Sequence, residues 1–435
     1  MLRKILKATS LAITVSGLLL FLSFTNAYAV PSFARQTGMA CSVCHMVFPE
    51  LTPFGRLFKL EGYTLSNTAQ VKETEGNEMH ALLSKIPPLS AMIQASYTSI
   101  KKAQQGIQNG NISFPQQLSV FYAGKITSKI GAFAQITYDG ESGVFSLDMA
   151  DVRYADHATL RGKDLIYGLT LNNNPTMQDV WNSTPIWGFP YASSSVAPTP
   201  EAETQIFAGF DKVGGLGAYV FWNNLIYAEL SGYRTAQSSA TPLKGVAPYW
   251  RIAVEPNWGH HSLSVGTYGM VADIYPAPPG YVSGGPTDRY TDLALDSQYQ
   301  YISGDNIFSA HTTWIHEKRN LNASYTLGNA ENSLGKLRTF KVDGTYYYKR
   351  RYGASVGYFS TTGSSDSFLY ASSRTYSPDS NGFIIELNYL PWENTKLSLQ
   401  YTAYSKFDGA KTNYDGSGRN ASDNNTLYVL AWLVF

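Results

Sequence analysis

From about residue 87 onward, apolar and polar residues alternate with a period of two. Leu89, Ala91, Ile93, Ala95 and Tyr97 alternate with Ser90, Met92, Gln94, Ser96 and Thr98. Ile130, Ala132, Ala134 and Ile136 stand against Lys129, Gln135, Thr137 and Asp139. Leu293, Leu295 and Tyr299 stand against Asp292, Asp296, Gln298 and Gln300, and Leu397, Leu399, Tyr401 and Ala403 against Lys396, Ser398, Gln400 and Thr402. A period of two sends successive side chains to opposite faces of a strand. One apolar and one hydrogen-bonding face per segment of about ten residues predicts a transmembrane β-barrel.

A β-sandwich alternates in the same way, so the connections must decide. Short turns are predicted near Ser128, Asp156, Asn223, Trp258, Gly304, Lys349 and Trp392. Long polar loops are predicted at 101–113, 140–145, 172–212, 235–247, 272–289, 328–336, 362–380 and 406–425. Counting between them gives about sixteen antiparallel strands over 87–435, with residues 306–327 taken as one strand. An even count, short turns at one end and long loops at the other describe an outer-membrane barrel and not a sandwich. Leu427, Val429, Ala431, Leu433 and the terminal Phe435 repeat the alternation to the last residue. That ending resembles the signal read by the outer-membrane assembly machinery.

Before residue 87 the pattern differs. Residues 1–29 read as an export signal: Arg3, Lys4 and Lys7, then the apolar stretch Leu11 to Phe24, then Ala27-Tyr28-Ala29 as a cleavage site. Residues 30–86 form a small module. In it Thr52 is placed to cap a helix, Pro53 to open it and Gly62 to close it. Phe54, Leu57 and Phe58 make one apolar stripe on that helix.

Composition excludes some classes. Mean hydropathy is −0.18, too polar for a bundle of membrane helices, while 31 tyrosines and 37 glycines suit a β protein. With 33 basic and 32 acidic residues, a net charge of +1 supplies no face for nucleic acid.

The only cysteines, Cys41 and Cys44, stand in Cys41-Ser42-Val43-Cys44-His45. That spacing is the one of covalent haem attachment, with the histidine as proximal iron ligand. A thioredoxin-like pair needs a βαβ setting, and a zinc site needs four ligands. One covalent haem c is therefore expected on Cys41, Cys44 and His45, and export fits, because bacteria complete that attachment outside the cytoplasm. The small module has little else to bury, so the Phe54, Leu57 and Phe58 stripe is expected to cover the haem. Arg56 and Lys59 read as a solvated charged face, with pairing to the haem propionates as the alternative.

The candidate distal iron ligand is Met92, a thioether on an otherwise polar register, with a flexible gap-filling role as the alternative. His80, in a polar linker, is the runner-up; Met39 and Met46 lie too near the motif. Lys129, Arg251, Glu255, Asp292, Asp296, Lys341, Asp343 and Glu386 are expected to line a hydrated lumen as paired charges.

The run Val30-Pro31-Ser32-Phe33-Ala34-Arg35-Gln36-Thr37-Gly38-Met39-Ala40-Cys41, followed by Val43-Cys44-His45 and Pro53-Phe54-Gly55-Arg56, resembles the fused monohaem cytochrome–porins of iron-oxidising bacteria. The resemblance implies a small c-type cytochrome joined to an outer-membrane barrel. It further implies electrons passing from extracellular Fe(II) to a periplasmic carrier such as a soluble cytochrome. It carries over to Cys41, Cys44 and His45 and does not fix the distal ligand. Two further readings stand beside this electron conduit: a solute channel in which the haem module plugs, gates or senses, and a haem enzyme with an open iron position.

Overall fold

The computed structural model describes residues 32–64 and 88–435, apart from 105, 107, 211, 238, 240 and 277–283. The export signal, Met79, His80 and the module boundary at 86–87 lie outside the described residues.

The alternating segments become strands β1 Leu89–Ile100, β2 Asn111–Lys125, β3 Ile130–Asp139 and β4 Val144–Leu160. They continue as β5 Lys163–Asn172, β6 Val213–Trp222, β7 Ile226–Thr235 and β8 Ala247–Val254, which resumes at Asn257–Trp258 after Glu255-Pro256. Then follow β9 His261–Ile274, β10 Asp288–Ser303, β11 Asn306–Asn320 and β12 Leu334–Tyr348. The last are β13 Tyr352–Gly363, β14 Ser380–Trp392, β15 Thr395–Lys406 and β16 Thr426–Val434. Each strand pairs antiparallel with its neighbours in sequence. β1 closes the sheet between β2 and β16: Met92 faces Ser119 on one side and Val434 on the other. Closure matters because a strand edge exposed to lipid would leave its N–H and C=O groups unpaired.

The sixteen-stranded antiparallel barrel expected from periodicity is therefore present, with its faces as read. Leu295 and Leu387 are 55% and 53% exposed on the outside, while Asp296 and Glu386 beside them are 4% exposed within. The terminal Phe435 points outward and exchanges backbone hydrogen bonds with Ala91. This outer apolar band is the mark of a barrel whose solvent is lipid.

Several local expectations change. Asp156 lies inside β4, not in a turn; it pairs with Lys129 at 2.5 Å. The turn comes at Arg161 and Gly162, whose φ values of +53° and +72° are those of a primed hairpin turn. Lys129 sits in the exposed turn before β3 and does not line the lumen. The connection after Asp139 is four residues, 140–143, because the strand resumes at Val144. β11 ends at Asn320 and a short helix, Asn322–Thr326, follows, which leaves the strand count intact.

Two segments of the chain fill much of the lumen. One filler is the module 32–64, which enters from the short-turn end. The other is the connection 173–212, which folds inward after β5. Its Asp179 accepts backbone N–H bonds from Trp181, Ser183 and Thr184 and so fixes a tight inner bend. Arg251 of β8, fully buried, ties that bend to the wall: it meets Asp296 of β10 at 2.5 Å and Asp179 at 3.7 Å. Glu386 pairs likewise with Lys396 at 3.3 Å. Of the charges expected to line the lumen in pairs, Arg251, Asp296, Glu255 and Glu386 are ion-paired and Asp343 is bonded to His311, whereas Lys341 and Asp292 have no ion-pair partner among the described residues.

Replacing one member of a buried ion pair leaves the other charge uncompensated, at a cost of about 3–5 kcal/mol. Arg251→Met should therefore lower the urea midpoint of barrel unfolding markedly, and Asp296→Asn added to it should recover part of the loss. An unchanged midpoint in the single variant would show that the inward loop does not depend on this charge.

Candidate functional site: a thiol–imidazole motif at the barrel mouth

The module holds three short helices: α1 Ser32–Thr37, α2 Cys41–Cys44 and α3 Pro53–Leu60. Helix α2 is a single turn, so Cys41 and Cys44, three apart, share one face. Both are free, half-buried thiols. Burial raises both, Cys44 to about 11, so at neutral pH both are protonated thiols. Among the described residues no group of three or more His, Cys, Asp or Glu side chains could hold a metal ion.

His45 closes the turn, its N–H donating to Cys41 O at 2.8 Å. Burial lowers its imidazole below the ordinary range, with the Pro49 and Glu50 carbonyls opposing that shift. The neutral ring, which is the ligating form, therefore prevails at neutral pH. Its Nδ1 is buried and lacks a hydrogen-bond partner among the described residues. Two neutral thiols on one helical face and a neutral imidazole directly after them fit the donor set of a covalently attached haem.

Helix α3 is built against this turn. Thr52 caps α3, its Oγ1 accepting from Gly55 N at 3.1 Å. The same hydroxyl donates to Val43 O at 2.6 Å, and Thr52 N donates to Cys44 O at 2.9 Å. Gly55 is required by this approach, since a Cβ there would stand 2.0 Å from Cys44 O. Gly62, at φ +70°, ends the helix as its sequence position suggested.

The barrel grips the module around its rim. Ser32 donates to Ala123 O at the end of β2. Arg350, in the turn between β12 and β13, donates to the carbonyls of His45 and Met46 at 2.9 and 2.7 Å. Glu50 accepts from Ser309 and from Tyr191 of the inward loop. The C-terminal end of α3 docks on β4 and β6: Arg153 reaches Lys59 O, and Tyr219 Oη donates to Leu60 O. All the rim contacts lie at the short-turn end, which places the cysteine–histidine motif at that mouth.

Arg56 and Lys59 do not form the expected solvated face, nor are they free for propionates. Arg56, 1% exposed, grips Glu255 at 2.8 Å and also meets Gln300 and Ser262, each at 2.6 Å. Lys59 donates to Met177 O and Asp179 O of the inward loop and lies 4.4 Å over the Trp187 ring. The carboxylate of Glu255 also accepts from Trp181 Nε1 at 2.6 Å. It thereby joins wall, module and inward loop in one knot. Sequence reasoning missed this knot; the unusual length of the 173–212 connection was the available signal.

The apolar stripe of α3 is divided. Phe54 and Phe58 pack with Phe33, Met39 and Tyr63. Leu57 packs towards Trp181 and Tyr227. Met92 is buried in the lumen with Tyr428, Leu430 and Trp432, against Phe48, three residues beyond His45. Among the other described histidines, His311 is bonded to Asp343 at 2.9 Å within β11 and β12, and His157 to Asp164 at 3.2 Å.

No family model and no curated protein sequence matches the chain. Among solved structures it is similar to the anion-selective porin of Comamonas acidovorans, with 12% identity, TM-score 0.48, and 80% of this chain and 98% of that one covered. It is also similar to the outer-membrane channel DcaP of Acinetobacter baumannii (12% identity, TM-score 0.47, 84% and 100% covered). A third is Salmonella typhi OmpF in complex with daunomycin (12%, 0.47, 80% and 97%).

The grip of Arg56 sets an expectation for the plug. Arg56→Ala leaves Glu255 buried without its cation, a loss of about 3–5 kcal/mol. In liposomes the variant should admit small ions that the unaltered barrel excludes, and its module should be cut faster by trypsin. Equal conductance in both proteins would mean that Arg56 does not retain the plug.

Proposed function

We propose that the protein is an outer-membrane electron conduit: a barrel whose N-terminal module carries one covalent haem c on Cys41 and Cys44, with His45 as proximal iron ligand. The observation that carries this reading is the placement of Cys41-Ser42-Val43-Cys44-His45 on a module docked inside a sealed barrel mouth. The bound haem would supply a one-electron centre. The chain's own residues orient it and exclude water: Arg350 holds the motif's carbonyls, Thr52 and Gly55 seat α3 against Cys44, and the paired lumen charges close the interior. Met92 is the distal-ligand candidate, because its thioether shares an apolar cluster with Phe48. Electrons would pass from an extracellular donor, ferrous iron by the sequence resemblance, to a soluble periplasmic carrier such as a cytochrome docking at the short-turn mouth.

A solute channel with a gating or sensing haem module is the competing reading. The inward loop and the docked module, ion-paired to the lumen wall, count against a standing pore.

Haem retained by the denatured protein, and lost from Cys41→Ala and Cys44→Ala, is the first expected result; a wild-type chain without covalent haem would remove the proposal. Anoxic Fe(II) should reduce the haem near neutral pH, and failure would remove that donor while leaving the conduit. Met92→Ala should abolish a thioether–iron charge-transfer band, and an unchanged spectrum would exclude Met92 as ligand.

A further inference from the structure

Above the docked module, towards the long-loop end, the lumen keeps a cavity of about 200 Å³. One wall is the inward loop, through Phe189, Glu203 and Phe207; the other is the lumen face of β12 to β15. Two polar groups there have no hydrogen-bond or ion-pair partner among the described residues. Thr339 of β12 is 4% exposed, and its Oγ1 is buried without a hydrogen-bond partner among the described residues. Lys341, two residues along the same face, has its ammonium 3.7 Å from the Phe207 ring centroid. No carboxylate lies within ion-pair distance of Lys341 among the described residues. Its neighbouring counter-charges are Glu203 across the cavity and Asp343, which is already bonded to His311.

Among the described residues, the buried lumen cations Arg56, Arg153, Arg251 and Lys396 are each held by a carboxylate and Lys59 by the Met177 and Asp179 carbonyls, whereas half-buried Lys341 has neither. A charge largely withdrawn from bulk water without such a partner is costly, which makes this position suited to an anion brought from outside. The remaining lining supplies the rings of Phe189, Phe359 and Tyr404 beside the polar side chains of Ser360, Gln400 and Thr402, and Asp343, bonded to His311, also stands on the wall. A void of about 150 Å³ lined by apolar side chains is enough to take up benzene, so this one has room for a ring and a small charged group.

We infer that the cavity is a binding site for a small aromatic carboxylate. The carboxylate pairs with Lys341 and accepts a hydrogen bond from Thr339 Oγ1, and the ring packs among Phe189, Phe207 and Phe359. Glu203 and Asp343 also line the cavity and oppose any negative charge beyond the one Lys341 meets, so a monoanion is selected over a dianion. The site lies between the long-loop mouth and the module: Phe189 meets Tyr191 edge-on at 5.9 Å, and Tyr191 bonds Glu50. Binding there does not depend on haem and goes beyond the conduit reading.

Titration calorimetry of the purified full-length barrel with benzoate tests the assignment. One benzoate should bind per barrel, with acetate and benzyl alcohol at least tenfold weaker, because each lacks the ring or the charge. Lys341→Met should weaken benzoate at least tenfold and Lys341→Arg should retain it. Thr339→Val keeps the side-chain shape, so the barrel should fold, and it should weaken benzoate severalfold. Absence of benzoate binding to the wild-type barrel, or equal binding by folded Lys341→Met and Thr339→Val, would overturn the assignment.

Discussion

Glu255 is the constraint on which the closed state rests. Its carboxylate stands where β8 is interrupted by Pro256, turned into the lumen, and it receives the Arg56 guanidinium from the module and the Trp181 indole from the inward loop. A carboxylate at 5% exposure is tolerable only when its lone pairs are taken up and its charge is met. Neither filler satisfies it alone. The module brings the charge, the loop brings the second donor, and the wall supplies the acceptor. The two fillers are therefore coupled through a side chain that belongs to neither.

The same logic explains how a polar lumen is filled by protein. A barrel's inner face carries hydrogen-bonding side chains because the strands alternate, and a water-filled pore would satisfy them. Here Lys59 finds the carbonyls of Met177 and Asp179, Tyr63 finds Asp151, and Gln300 finds Leu51 O. Each of these is a contact between wall, loop and module made in place of a contact to water. Buried polar networks of this kind hold only when nearly every member is satisfied, and so they fix the register of the module against the wall.

What could be read from the sequence was what depends on local periodicity. The alternation in β1, β10 and β15 gave the barrel and its two faces, because side-chain direction along a strand follows from backbone geometry alone. Thr52, Pro53 and Gly62 gave the bounds of α3 for the same reason. The Asp156 turn failed because a polar Asp-His pair imitates turn chemistry, whereas the real turn at Arg161 depends on a left-handed backbone that Arg rarely adopts. Arg56 and Lys59 failed for a different reason. Their partners, Glu255 and the carbonyls near Asp179, lie more than a hundred residues away, and no local pattern announces such a pairing. The motif Cys41-Ser42-Val43-Cys44-His45 was legible as chemistry, but its position at the short-turn mouth was not.

That position has a consequence for any single-centre conduit. An apolar band of about 25 Å separates the two mouths, and the motif is anchored at one of them by Arg350 and Glu50. The motif therefore sits near the barrel's short-turn mouth and far from the long-loop one. The space between is occupied by the inward loop, with Tyr191 bonded to Glu50 below and Phe189 lining the cavity above. The loop that seals the lumen is also the matter that joins the two halves of the barrel. A channel would need that loop moved aside; a conduit needs it kept where Glu255 and Arg251 hold it.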